Sequence, residues 1–366
     1  MTEINTTPTI QTAFVTGAIG LLGSNLVRLL LSRGVRVKAQ ARSREKAESQ
    51  FAGLPVEIVT GDMSDVASFA AQLKGVDVVF HTAAYFRDSF KGGRHWKELY
   101  DTNVRATAHL LQHAYDAGVR RFVHTSSIAV LRGEPGKPAN ETMLRTAGHA
   151  DDYYLSKILS DREVDNFLDK HSDMCACMVL PGWMVGPGDI GPTSSGQVIL
   201  DFINRKLPGV PPATFSLVDA RDVAEALRLA ALKGRSGERY LAAGRHTPMS
   251  DLFHQLERIT GVPAPRMKVP TAMMFALAAF QQLWARLTGK PALLSLATAR
   301  LMASERNRSH FEHSKSEREL GVRFRSVEET LGDAICWYRE NGWLSRDAER
   351  QGQPSKRGQH AQAQQR

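Results

Sequence analysis

The chain has 366 residues, of which 42% are hydrophobic, 23% charged and 7% aromatic. That length and balance fit a globular protein of about two lobes, and exclude chain-wide disorder, collagen and a disulfide-rich secreted scaffold. The net charge of +9, from 47 basic and 38 acidic residues, suits an anionic small ligand as well as nucleic acid, and no nucleic-acid partner is expected.

Chemistry at the edges of the chain is modest. Cys175, Cys177 and Cys336 form no C-x-x-C pair, which points to a reducing compartment and away from disulfides or a metal site. Met1–Thr7 lacks the basic and apolar regions of a secretory leader, and no apolar run reaches the roughly 18 residues of a membrane span. A cytoplasmic protein is expected. Residues 1–11 read as an extension. Residues 346–366, Gln-rich and basic, read as a disordered tail.

From residue 12 strand-like runs alternate with amphipathic ones. The pattern predicts strands at 12–15, 35–41, 56–59, 76–80, 121–125 and 175–180, and helices at 21–33, 66–73, 102–117 and 153–170. Such alternation implies βαβ units and a Rossmann-type doubly wound parallel sheet, an α/β fold, over 12–180. Beyond Pro181 the texture turns to Gly, Pro and Met, which predicts a smaller C-terminal substrate lobe over 181–345, with 214–243 returning to the first domain. In that lobe Met273, Met274, Phe275, Phe280 and Trp284 share an apolar helix, read as core or lid, with a peripheral membrane contact through 272–284 as the sharper option.

Gly17-Ala18-Ile19-Gly20-Leu21-Leu22-Gly23 follows the first strand and opens the first helix. Glycines there permit a tight turn and close approach of a pyrophosphate to the helix N-terminus. An NAD enzyme would place an acid at the end of the second strand. This chain has Arg42 and Arg44, whose guanidinium groups could clamp a 2′-phosphate, so NADP(H) is favoured over NAD(H). Tyr153 and Lys157 stand four residues apart on one helix face, where an ammonium would favour a phenolate. Ser126-Ser127 sits at a strand end, within reach of a substrate oxygen. His81 and His124, also at strand ends, read as packed histidines.

The glycine loop, Asp62, His81-Thr82-Ala83-Ala84, Asn103-Val104-Arg105-Ala106-Thr107, Ser126-Ser127 and Tyr153-x-x-x-Lys157 occur in the order of the extended short-chain dehydrogenase/reductases, which the chain resembles over about 12–345. The resemblance implies Ser127, Tyr153 and Lys157 as the catalytic set. It implies cofactor contacts from Gly17 to Leu22, at Asp62 and Met63 beside the adenine, at Ala83 and Ala84, and from Pro181 to Met184, with Lys157 also on the ribose. Asn103 matches a largely structural asparagine, and helices 102–117 and 153–170 match those that pair in family homodimers.

Departures from the family narrow the chemistry. Trp183 and Val185 replace the asparagine and tyrosine of sugar-nucleotide epimerases, and Ile128-Ala129 replaces the acidic pair of sugar dehydratases. Gly186–Thr193 looks like the dihydroflavonol-reductase, hydroxysteroid-dehydrogenase and hopanoid-associated branch. With Tyr85 and Trp183 as substrate contacts, the expected reaction is hydride exchange between NADP(H) and a carbonyl or alcohol of a hydrophobic small molecule. The alternatives are a sugar-nucleotide epimerase with tightly bound cofactor, for which Arg205, Lys206, Arg221, Arg245, Arg266 and Lys268 could hold a diphosphate, and a non-catalytic dinucleotide sensor. The intact trio argues against the sensor.

Overall fold

The computed structural model describes residues 9–86, 95–288, 296–305 and 307–344; the expected tail and most of the N-terminal extension lie outside them. Among the described residues the strands are β1 (Thr12–Thr16), β2 (Arg36–Ala41), β3 (Val56–Thr60), β4 (Val78–His81), β5 (Arg121–Thr125), β6 (Cys175–Pro181), β7 (Trp183–Val185), β8 (Thr214–Asp219), β9 (Arg239–Ala242) and β10 (Arg245–Pro248). Seven of them form one sheet in the order β3-β2-β1-β4-β5-β6-β9, with every pair parallel. This is the doubly wound Rossmann-type fold. The order reverses between β1 and β4, where such sheets open a crevice beyond their strand ends.

Burial explains why these strands read as unbroken apolar runs. In β1, Ala13 and Val15 point into the layer beneath helix Leu21–Ser32, while Phe14 enters the opposite layer with Phe69 and Phe122. A strand covered on both faces has no polar side to show.

The second lobe is built on β10-β8-β7, with helices Ser194–Ile203, Met249–Thr260 and Val327–Glu340 around Phe202, Phe253, Leu331 and Tyr338. Sequence pattern assigns 214–243 to the first domain as one block, and the structure divides it. Strand β8 lies in the small sheet, because Leu217 packs in the second core. Helix Ala220–Lys233 and β9 return, through Val223, Leu227 and Tyr240, to the core beneath β1. The chain also returns a second time, which the pattern did not reveal: Phe311, Leu320 and Val322 are buried in the first lobe.

Helices Thr271–Thr288 and Leu296–Glu305 pair around a small core of Val269, Met274, Ala278 and Ala299. The expected single apolar face is divided here too. Met274 is buried, whereas Met273 and Phe280 are 49% and 63% exposed. Adjacent helical residues lie about 100° apart, so 273 and 274 cannot share a face. The side chain of Trp284 lies outside the described residues. Among the described residues no helix is long and apolar enough to cross a membrane.

Candidate active site

The glycine loop leaves β1 at the switch point. Gly17 is left-handed at φ 61°, and a Cβ there would stand 2.8 Å from the Cα of Ala83, which follows β4. A Cβ on Gly23 would lie 2.3 Å from the Gly17 carbonyl oxygen, so the helix start also requires glycine. Gln40, buried at the end of β2, braces the loop: its Oε1 accepts from Gly17 N (3.1 Å) and its Nε2 donates to the Gly61 carbonyl (2.6 Å). Helix Leu21–Ser32 has no side-chain cap at Gly20 and no acid in its first turn. Its positive end is therefore left for an external anion, and the loop fits a dinucleotide pyrophosphate.

After β3, where the adenine contact is expected, Asp62 caps the following turn, accepting from Ser64 N and Ser64 Oγ at 2.8 Å each. The Ser64 amide is the main cause holding the Asp62 carboxyl below its usual range, with the nearby Arg42 charge contributing. Arg42 is exposed, and makes no hydrogen bond among the described residues. Arg44 is committed elsewhere, to Glu48 (3.3 Å) and the Ile58 carbonyl (3.1 Å), which removes it from the expected clamp. The Met63 side chain is buried in the core beside Val59, so only its backbone could face a ligand.

The catalytic candidates converge at the end of β5. Ser127 caps a short turn, its Oγ accepting from Ala129 N at 3.1 Å. Helix Asp152–Leu168 is capped by Asp151, which accepts from Tyr154 N at 2.8 Å. Burial raises the Tyr153 phenol well above its usual value, although a hydrogen bond with Ser127 opposes the shift. Phe86 packs its edge against the Tyr153 ring at 4.9 Å. Lys157, 2% exposed, donates to the Thr125 carbonyl at 2.7 Å, and burial lowers it to about 8. Burial, rather than the charge of Lys157, dominates the Tyr153 phenol here.

Around this set the other predicted residues take definite places. Asn103 fixes Tyr85 through both backbone groups, its Oδ1 accepting from Tyr85 N (2.7 Å) and its Nδ2 donating to Tyr85 O (3.1 Å). Trp183 stacks on Phe215 at 4.4 Å. Pro181 ends β6, and a Cβ on the next residue, Gly182, would lie 2.4 Å from the carbonyls of Ala243 and Ser216. Arg221 is bound to Asp219 (2.6 Å) and Asp333 (2.7 Å), which takes it out of the proposed diphosphate set.

Sequence reasoning missed the supports. Asn25 Nδ2 donates to the Pro187 carbonyl at 2.8 Å, tying the glycine helix to the loop after β7. Arg145 donates to Ala129 O (2.8 Å), Leu131 O (3.0 Å) and His149 O (3.1 Å), and forms a two-pronged pair with Glu305 at 3.0 Å. Its guanidinium also lies 4.6 Å from the ring of Tyr154. No spacing motif announces such residues, though a lone arginine inside a weakly polar stretch is a usable sign.

Residues 13–243 match the model of the NAD dependent epimerase/dehydratase family. The chain belongs to that family. It is 36% identical over 91% of its length to the whole of sterol demethylase protein B of Methylococcus capsulatus. It is also 30% identical over 90% of its length to 95% of a putative dihydroflavonol 4-reductase of Synechocystis. The crystal structure of gox2253 superposes with a TM-score of 0.79 and 32% identity, covering 92% of this chain and all of the other. Within the family these relatives place it among the extended short-chain dehydrogenase/reductases, as an NAD(P)-dependent oxidoreductase. Yeast methylglyoxal/isovaleraldehyde reductase complexed with NADPH, at 21% identity and TM-score 0.69, shares the fold.

Proposed function

We propose that the chain reduces the carbonyl of an apolar ketone or aldehyde with NADPH. The observation that carries this reading is the hydrogen-bonded Ser127–Tyr153 pair with Lys157 one helical turn on. Bound nicotinamide dinucleotide would supply the hydride. Tyr153 donates its phenol proton to the carbonyl oxygen. Ser127 orients that oxygen by a second hydrogen bond, and the Lys157 ammonium eases the phenol's loss of its proton. Arg42, exposed at the β2 end, supports a 2′-phosphate contact.

Substrate class follows from the aromatic groups. Phe86 against Tyr153 and Trp183 against Phe215 offer flat apolar surfaces, which favour a ring or alkyl body. A sugar would leave hydroxyls unpaired there, at about 1–3 kcal/mol each. Relatives named for sterol, dihydroflavonol and 3-beta-hydroxysteroid chemistry support the same class. The epimerase alternative loses Arg221 from its phosphate set.

A two-armed assay tests the reading: NADPH oxidation with aromatic and steroidal carbonyls, beside UDP-glucose epimerisation without added cofactor. Turnover is expected in the first arm. Turnover in the second arm alone would replace the reductase with an epimerase.

A further inference from the structure

The face that helix Asp152–Leu168 turns to the sheet is polar, with Ser156, Lys157, Ser160 and Asp161 all buried. Behind it a chain of hydrogen bonds crosses the sheet, and the direction of each follows from its neighbours. Thr107 Oγ1 donates to the Asn103 carbonyl (2.7 Å), so it accepts from His81 Nε2 (3.0 Å) and Ser160 Oγ (3.2 Å). Ser160 in turn accepts from His124 Nε2 (3.1 Å). At the other end His81 Nδ1 accepts from Thr16 Oγ1 (2.8 Å), the residue before Gly17. Nδ1 of His124 is buried without a partner. Both histidines are thereby assigned as neutral Nε2–H tautomers, and burial holds both below the usual imidazole value.

The remaining ions of this interior are then few. Asp161 accepts from Ser126 Oγ at 2.9 Å, and lies 3.5 Å from both His124 Nε2 and Arg239 Nε. Arg239 has a second, outer partner in Asp165 at 2.8 Å. The titratable groups near Lys157 are thus His81 from β4 and His124 from β5, while His124 and Arg239 from β9 face Asp161. Asp161 itself comes from one turn along the lysine's own helix. Burial works against the charge of Asp161, but the nearby His124 and Arg239 and the Ser126 hydroxyl outweigh it.

We propose that Asp161 is a positioning residue for the Ser127–Tyr153–Lys157 set. One carboxylate oxygen anchors Ser126, and with it the strand end that carries Ser127, while the charge balances the Lys157 ammonium one helical turn away. One buried side chain thus holds the Ser126 hydroxyl and sets the charge near Lys157, whose ammonium is itself held by the Thr125 carbonyl.

This inference takes the role of Lys157 from the proposed reduction, but its test needs neither substrate nor cofactor. NMR titration of the full chain labelled at lysine Cε follows Lys157, assigned by the signal lost in Lys157→Arg. The wild-type midpoint is expected at about 8. Asp161→Asn should lower it by about one pH unit, because the facing anion is gone. Arg239→Gln should raise it, because the cation that offsets the Asp161 charge is gone. Asp169→Asn, at the exposed end of the same helix, should leave it in place. In the reductase assay, the alkaline fall of kcat/KM should follow the same shifts, which loosened packing alone would not produce.

An Asp161→Asn chain that is folded by circular dichroism and titrates like wild type overturns the proposal. If that variant does not fold, Arg239→Gln decides, and an unmoved or lowered midpoint overturns it. Shifted midpoints in a chain that reduces no carbonyl would sustain the Asp161 pairing while removing the proposed reaction.

Discussion

Burial favours the neutral form of both Tyr153 and Lys157, the phenol by keeping its proton and the ammonium by releasing one. Tyr153→Phe removes the proton donor with little change of volume, and should reduce kcat by about 10²–10⁴-fold while calorimetry finds cofactor affinity intact. Near-full turnover in that variant would exclude the phenol as the acid. Lys157 should give kcat/KM for reduction a plateau at neutral pH and a decline above about 8, where its ammonium is lost. Stability carries the opposite sign. Between about 8 and the ordinary 10.5 the unfolded chain binds the proton that the folded chain has lost, so this group's contribution to stability rises with pH there. Arg42→Ala should weaken NADPH binding by about ten- to a hundredfold, the loss of one charge-assisted hydrogen bond, and leave NADH nearly unchanged. Equal losses for both cofactors would free Arg42 from the 2′-phosphate.

At the scale of elements, Arg145 fastens three pieces to one another: the turn after Ser127, the turn before Tyr153 and the end of helix Leu296–Glu305. Arg145→Lys keeps the charge but loses the planar fork, and leaves buried carbonyls without donors. It should cost about 1–3 kcal/mol in denaturant unfolding, in the range for buried acceptors left unpaired. A loss under 1 kcal/mol would show that the fork adds little. The large sheet was legible because its central strands β1, β4 and β6, buried on both faces, are short apolar runs between helices. The small sheet was not. β7 has three residues and β10 reads Arg-His-Thr-Pro, and neither bears an alternating pattern. That the glycine loop opens the first helix, and that Tyr153 and Lys157 share a helix, was legible from spacing, whereas the choice of Ser127 rested on the family resemblance. Asp161 was hidden because polar and apolar residues are interspersed among the buried positions of its helix, so a charge four residues from a lysine looks like a solvated pair.

For the whole molecule, the crossings between lobes decide how it folds. Leu320 and Val322 fill the core beneath β1, so a chain ending at residue 310 lacks part of the Rossmann domain's own interior. Such a truncation should lose cooperative thermal unfolding, whereas one ending at 344 should keep it; a folded 310-residue chain would show the return to be dispensable. The same crossings bear on descent. A new substrate lobe cannot be acquired as a cassette by one recombination event, since any single splice separates β8 from the helix that follows it or strands 311–325 on a foreign partner. Specificity in this architecture must therefore drift by substitution within the lobe, at residues such as Trp183 and Phe215, while the interleaved chain path is inherited whole.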